Sequence, residues 1–141
     1  MSDDAATFRR IPLEVFNQGK TDLIDELFAE DFVERLDLPP GVPADREGVR
    51  MFVQGLLAAF PDFKYEIVLQ AQDGDTHTGM IRASGTMTGE FMGMPPSGKA
   101  ATWDEIHIAR FAGGKLAEHW GVVDRLSMLQ QLGFMPAPPN S

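Results

Sequence analysis

Apolar residues recur at three- and four-residue steps through the first sixty positions and at two-residue steps beyond them. The chain therefore divides into a helical part followed by a sheet. Phe8, Ile11, Val15 and Phe16 share one helical face, and Pro12 predicts a kink or a late helix start. Gly19 suits a left-handed C-cap, and Thr21 opens a second helix carrying Leu23, Ile24, Leu27 and Phe28. A short strand is expected over residues 32–36, followed by the stiff loop 38–43. Asp45 caps a third helix that buries Val49, Phe52, Val53, Leu56, Leu57 and Phe60 and stops at Pro61.

Past Pro61, Phe63, Tyr65, Ile67 and Leu69 alternate with more polar neighbours, the pattern of a half-buried strand. Asp73-Gly74-Asp75 is a turn signal. A second alternating strand follows over residues 81–91, with Ile81, Ala83, Gly85, Met87, Gly89 and Phe91 on its apolar side. Two glycines in that set predict a bulge or a strong bend. A third strand spans 101–111, Gly113-Gly114 makes a hairpin, a fourth strand spans 116–123, and a last helix over 126–132 ends at Gly133. Helices first and an antiparallel meander afterwards is an α+β pattern. Its economical packing lays the helices into one face of a curved sheet and leaves a cone-shaped hollow, the kind of place small ligands bind. Without linker or repeat, residues 1–141 read as a single domain, with 134–141 a frayed Pro-rich tail.

Composition narrows the chemistry. Twelve Lys plus Arg stand against 21 Asp plus Glu, for a net charge of −9, and there is no Cys. Disulfides, thiolate nucleophiles and zinc–thiolate sites are thereby excluded. The 43% apolar content excludes a disordered chain. Excess negative charge repels phosphate backbones and anionic lipids, so neither nucleic acid nor a membrane is expected as partner. The acidic start Met1-Ser2-Asp3-Asp4 is unlike a secretory signal, and no apolar run approaches the ~20 residues of a membrane span. A cytoplasmic location is expected. The three His residues have no ligand-like spacing, so no metal site is expected.

Several stretches carry a resemblance. They are Phe16-Asn17-Gln18-Gly19, Phe60-Pro61-Asp62-Phe63, Gly85-Thr86-Met87-Thr88-Gly89-Glu90-Phe91 and Gly93-Met94-Pro95-Pro96-Ser97-Gly98-Lys99, then Gly114-Lys115-Leu116-Ala117-Glu118-His119-Trp120 and the segment from Asp124 to Gly133. In this order they resemble the SnoaL-like polyketide cyclase, or ester cyclase, family from about Phe8 to Gly133. The resemblance implies the cone-shaped fold of nuclear transport factor two, with N-terminal helices on a strongly curved, mainly antiparallel sheet. It also implies ring closure by intramolecular aldol condensation with no metal or organic cofactor. Many members carry His where this chain has Met87.

Asp124 follows the strand bearing Glu118, Trp120 and Val122 and shares their parity. Partial desolvation there would raise its pKa towards that of a useful general acid–base. The family places its catalytic Asp just before the C-terminal helix, and Asp124 matches it. The plainer reading is a helix cap for the segment beginning at Arg125. His107 shares a parity with Trp103 and Glu105, a pattern suited to polarising a substrate carbonyl or to an ordinary His–carboxylate pair. His119, of opposite parity to Asp124, is expected to face outward, and His77 to lie exposed near a turn. Trp103, Trp120, Met87, Phe60, Phe52 and Met92 are candidate pocket walls or plain core. The leading expectation is a cofactor-independent acid–base enzyme acting on a small hydrophobic carbonyl compound, polycyclic aromatic ones included. Alternatives are a dehydratase, isomerase or epoxide hydrolase on the same cone, or a non-catalytic ligand-binding module. Ile106 and Ile108 on the outer sheet face point to a homodimer.

Overall fold

Phe8 and the residues in step with it do form a helix. The computed structural model describes residues 3–139 and opens with α1, Asp3–Arg10, which runs on into a π-helical turn over Ile11–Phe16. Pro12 cannot donate to the preceding turn, and the expected kink takes the form of this widened segment, closed by Asn17 N–H on the Pro12 carbonyl at 3.1 Å. Helix α2, Leu23–Leu27, stops earlier than its apolar pattern suggested. Phe28 is already extended and begins β1, Phe28–Glu34, so the first strand starts before the expected 32–36.

Helix α3, Arg46–Ala59, is capped as the sequence indicates, with the Asp45 carboxylate accepting from Gly48 N–H at 3.0 Å. Four long strands follow: β2 (Lys64–Asp73), β3 (Thr76–Thr86), β4 (Ala100–Ala112) and β5 (Lys115–Val123). Strand β3 ends at Thr86, ahead of the expected 91. Beyond it the chain turns under α3, where Thr88 and Gly89 N–H bond the Ala59 carbonyl. The last helix is α4, Arg125–Leu132. Phe134 and Met135 N–H return to the Leu129 carbonyl, and the Phe134 ring packs on the core. Residues 134 and 135 are thus tied to α4, and Asn140 and Ser141 lie outside the described residues.

The sheet order is β1-β5-β4-β3-β2, antiparallel except for the parallel β1–β5 pair. Helices cover one face only, an α+β arrangement of the nuclear transport factor two kind. No helix among the described residues is long and apolar enough to cross a membrane. Two apolar clusters meet beneath the helices. One joins α3 and α4 to the sheet through Phe60, Trp103 and Met128, and the other joins the N-terminal helices to β1, β4 and β5 through Phe8, Ile24 and Phe111. Burying each of these large side chains contributes about 1.5–3 kcal/mol. Two amide side chains fasten helical segments to strands. Asn17 donates to the Tyr65 carbonyl and accepts from its N–H, and Gln131 does the same at Thr102.

The cross-strand register decides which way β5 faces. Trp120 pairs with Ile108 and Val122 with Ile106, and all four lie on the outer face, at 38%, 39%, 71% and 42% exposed respectively. The opposite parity looks inward, where His119 pairs with Ala109 and Gly121 with His107. The expected orientation of β5 is thus reversed, for Trp120 as for His119.

His77 also departs from expectation. It is fully buried between Phe8 (ring centroids 6.0 Å apart) and Phe111 (5.1 Å), and neither ring nitrogen has a hydrogen-bond partner among the described residues. Its position early in β3 puts it under α1, on the same side as Ile81 and Ala83. An unpaired buried polar group costs about 1–3 kcal/mol. Replacing it with a similarly sized apolar group, His77→Leu, is therefore expected to raise unfolding stability by about 1–2 kcal/mol, measured by urea denaturation. A loss of stability would show that the imidazole is satisfied in solution.

Candidate active site

Between the helices and the inner sheet face, polar side chains join end to end along one wall. Glu34 at the end of β1 accepts from His119 on β5, with Oε2 and Nδ1 2.5 Å apart. His119 Nε2 meets His107 Nδ1 at 2.8 Å, and His107 Nε2 meets Glu105 Oε1 at 2.8 Å. Glu105 then accepts from the Tyr65 hydroxyl and from Trp103 Nε1, each at 2.7 Å. The two imidazoles lie nearly parallel, with centroids 5.0 Å apart. They fit because position 121 is glycine: a Cβ there would stand 3.2 Å from His107 Nδ1.

Local sequence explains this convergence. Trp103, Glu105 and His107 alternate on β4 and so share its inner face, and the reversed orientation of β5 brings His119 against them. Glu34 arrives through the parallel β1–β5 pairing, in register with His119. Tyr65 is held by Asn17 at the end of the π-helical segment.

Glu105 is only 5% exposed. Burial by itself would raise its pKa, but the hydrogen bond and charge of His107, with those from Tyr65 and Trp103, hold it below the ordinary carboxylate value. Tyr65 moves the other way. Burial, and then the nearby Glu105 carboxylate, push its phenol well above its usual value near 10, so it stays a donor.

The hollow in front of this wall has two lobes that share Glu34, Tyr65, His107 and His119. The inner lobe, about 70 Å³, runs under the N-terminal helix between Phe8, Ile11, Phe28 and Leu116. The outer lobe, about 80 Å³, runs past Phe52, Trp103 and Glu105 towards Leu38, Met92 and Arg125. Apart from the wall, both are lined mainly by apolar groups. Such a site can move protons to and from a weakly polar substrate shielded from water. Among the described residues no group of three or more His, Asp or Glu is placed to hold a metal ion.

Of the residues singled out in the sequence, His107, Glu105, Trp103, Phe52 and Met92 line the hollow. Phe60 and Met87 do not. They are fully buried in the cluster below it, so Met87 is core rather than pocket wall. Trp120 lies on the outer sheet face, and Asp124 is exposed, outside both lobes, with its carboxylate accepting from Ser127 N–H at 3.1 Å as the cap of α4. The desolvated environment expected for Asp124 is absent because it shares the outward parity of Trp120 and Val122. Glu34, Tyr65 and His119 complete the wall and were not identified as functional from sequence. A parallel partner for β5 cannot be read from alternation, which is what hides Glu34. His119 needed the true facing of β5.

Comparison with known proteins agrees with this architecture. Residues 6–132 match the sequence pattern of the SnoaL-like polyketide cyclases. Nogalonic acid methyl ester cyclase of Streptomyces nogalater is 26% identical over 122 residues, spanning 86% of this chain and 91% of that protein. Aklanonic acid methyl ester cyclase DnrD of Streptomyces peucetius is 28% identical over 140 residues, spanning 94% and 92%. The solved structure of wild-type IdmH, a candidate polyketide cyclase of Streptomyces antibioticus, superposes with a TM-score of 0.80 at 35% identity, over 94% of this chain and 99% of that one. TsrD of Streptomyces laurentii, at 22% identity, shares the fold with a TM-score of 0.85. The chain belongs to the SnoaL-like polyketide cyclase family.

Proposed function

We propose that the protein is a cytoplasmic, cofactor-independent acid–base enzyme that closes a ring by intramolecular aldol condensation, or catalyses a related enolisation, on a hydrophobic carbonyl compound. The observation that carries this reading is the wall of two carboxylates and two imidazoles facing an otherwise apolar hollow. An aldol closure needs one group to remove a carbon-bound proton and one to protonate the new alkoxide. The wall holds groups of both kinds within hydrogen-bonding reach of one another. The names of the relatives, both methyl ester cyclases, support the same class of chemistry. Lobes of about 70 and 80 Å³ favour a compact substrate; a polycyclic one needs the outer lobe to open between Leu38 and Met92.

We also propose that a second copy of the chain covers the outer sheet face. Across the strands, Trp120–Ile108 and Val122–Ile106–Met80–Leu69 form adjacent apolar rows. The Arg110–Glu118 pair borders them on one side and Arg82–Asp104 on the other. A two-fold related copy presents the same apolar stripe with both signs of charge at each border, so the face is self-complementary.

Incubation with aklanonic and nogalonic acid methyl esters and with smaller aryl β-keto esters tests the activity. His107→Ala is expected to lower turnover by about 100-fold or more with the fold intact by circular dichroism. Asp124→Asn is expected to keep turnover, while Asp124→Ala lowers stability by about 1 kcal/mol through loss of the α4 cap. An equal loss of turnover in Asp124→Asn would return that residue to the chemistry. Stability should also depend on pH at both extremes. The lowered Glu105 value means stabilisation that is present above the ordinary carboxylate range and lost as acid titrates the folded-state group. The raised Tyr65 value means stabilisation present below pH about 10 and lost above it. Denaturation midpoints across pH should show the acid limb flattened in Glu105→Gln and the alkaline limb in Tyr65→Phe. For the assembly, light scattering is expected to give a dimer that Val122→Glu converts to monomer; a monomeric parent protein rejects the interface.

A further inference from the structure

Four groups in series are joined by three hydrogen bonds: Glu34 to His119, His119 to His107, and His107 to Glu105. Each bond needs one proton. Two neutral imidazoles bring two, and two carboxylates bring none. With both carboxylates ionised, making all three bonds therefore requires three protons on the four imidazole nitrogens, one more than two neutral rings carry, for a net charge of −1.

The ends of this chain differ. Glu105 has both oxygens engaged, Oε1 by Tyr65 and His107 and Oε2 by Trp103. At Glu34, Oε2 takes His119 and the Leu36 N–H, whereas Oε1 has no hydrogen-bond partner among the described residues. Glu34 also borders both lobes of the hollow. We propose that Glu34 is the residue that exchanges protons with substrate carbon and oxygen, and that His119, His107 and Glu105 form a one-proton relay that sets whether it takes or gives.

The proposal rests on the acid–base reading above and adds its reacting group. With the relay proton on His107, between its Nδ1 and His119 Nε2, His119 is neutral and the Glu34 carboxylate faces no cation. Its Oε1 takes the proton from the carbon beside a substrate carbonyl: the C–H bond breaks, an O–H bond forms, and the electron pair passes into an enolate. The enolate carbon then bonds to the second carbonyl carbon, whose π pair becomes an alkoxide. A shift of the relay proton from His107 Nδ1 to His119 Nε2 places an imidazolium beside the now neutral Glu34 and favours release of its proton. The alkoxide takes that same proton, Glu34 is again a carboxylate, and the relay proton returns. No proton is gained or lost over the cycle.

Glu34 alone exchanges protons with substrate in this scheme; His119, His107 and Glu105, which also border the hollow, act through it as positioning residues. Gly121 is part of the device, because a side chain there would crowd the two rings whose contact carries the proton.

Two measurements on the folded protein test the proposal. ¹⁵N spectra of the histidine rings at pH 7 should show three protonated nitrogens among the four of His107 and His119; one proton on each ring overturns the relay. Deuterium exchange at the methyl group of acetophenone in D₂O, followed by ¹H NMR, tests the reacting group. Glu34→Gln should slow protein-dependent exchange about 100-fold or more while the amide spectrum stays native, with Asp124→Asn exchanging like the parent. Unchanged exchange in Glu34→Gln rejects Glu34 as the reacting group. A parent protein that exchanges no faster than buffer overturns the acid–base reading itself, and the relay is then decided by the proton count.

Discussion

A carboxylate sealed away from water governs the inner architecture. Leaving Glu105 without partners would cost several kcal/mol, so its surroundings must supply donors from fixed directions. They come from the Tyr65 hydroxyl on β2, from the Trp103 indole two residues back on β4, and from the His107 ring two residues on. Satisfying Glu105 thus fixes the twist of β4, the distance to β2 and the orientation of one imidazole. His107 passes the requirement to His119, and His119 to Glu34, until β1 is drawn in as well. One acid side chain in this way ties four of the five strands to a common geometry.

The helices serve that geometry rather than merely covering it. The π-helical segment after α1 delivers Asn17 to the Tyr65 backbone and sets Ile11 and Phe16 over the inner lobe. Helix α4 is fastened separately, by Asp124 at its start and by Gln131 along its length. Asp124 sits where a strand hands over to a helix, and capping uses the same acceptor oxygens that catalysis would. Asp124 stays at the cap of α4, outside the hollow, while the carboxylates that border the hollow, Glu34 and Glu105, are carried by strands.

The order of helices and strands was readable from periodicity alone, because a change from a 3.6-residue to a 2-residue repeat needs no tertiary information. The facing of the strands was not. Strand β4 carries large apolar residues on both sides, with Trp103 within and Ile106 and Ile108 without, so alternation names two faces but not which is inside. The choice is made by helices packing on one side, and a single misjudged face carried Trp120, His119 and Asp124 with it. His77 illustrates a second limit. A polar residue close to a turn is ordinarily solvated, but α1 folds back over this turn and encloses the ring between Phe8 and Phe111. Of the site, β4's contribution was legible because Trp103, Glu105 and His107 lie two apart. Tyr65 and Glu34 join it only through contacts at long sequence separation.

The Asn17 amide has a meaning for the outside of the molecule too. Strand β2 is the last in the sheet, and Tyr65 turns its N–H and C=O away from β3, the direction in which another chain could add a strand. By taking both groups, Asn17 stands in for one residue of a missing neighbour and denies that register to a stranger. The same small contact that steadies the tyrosine within also occupies one register on the rim of the sheet.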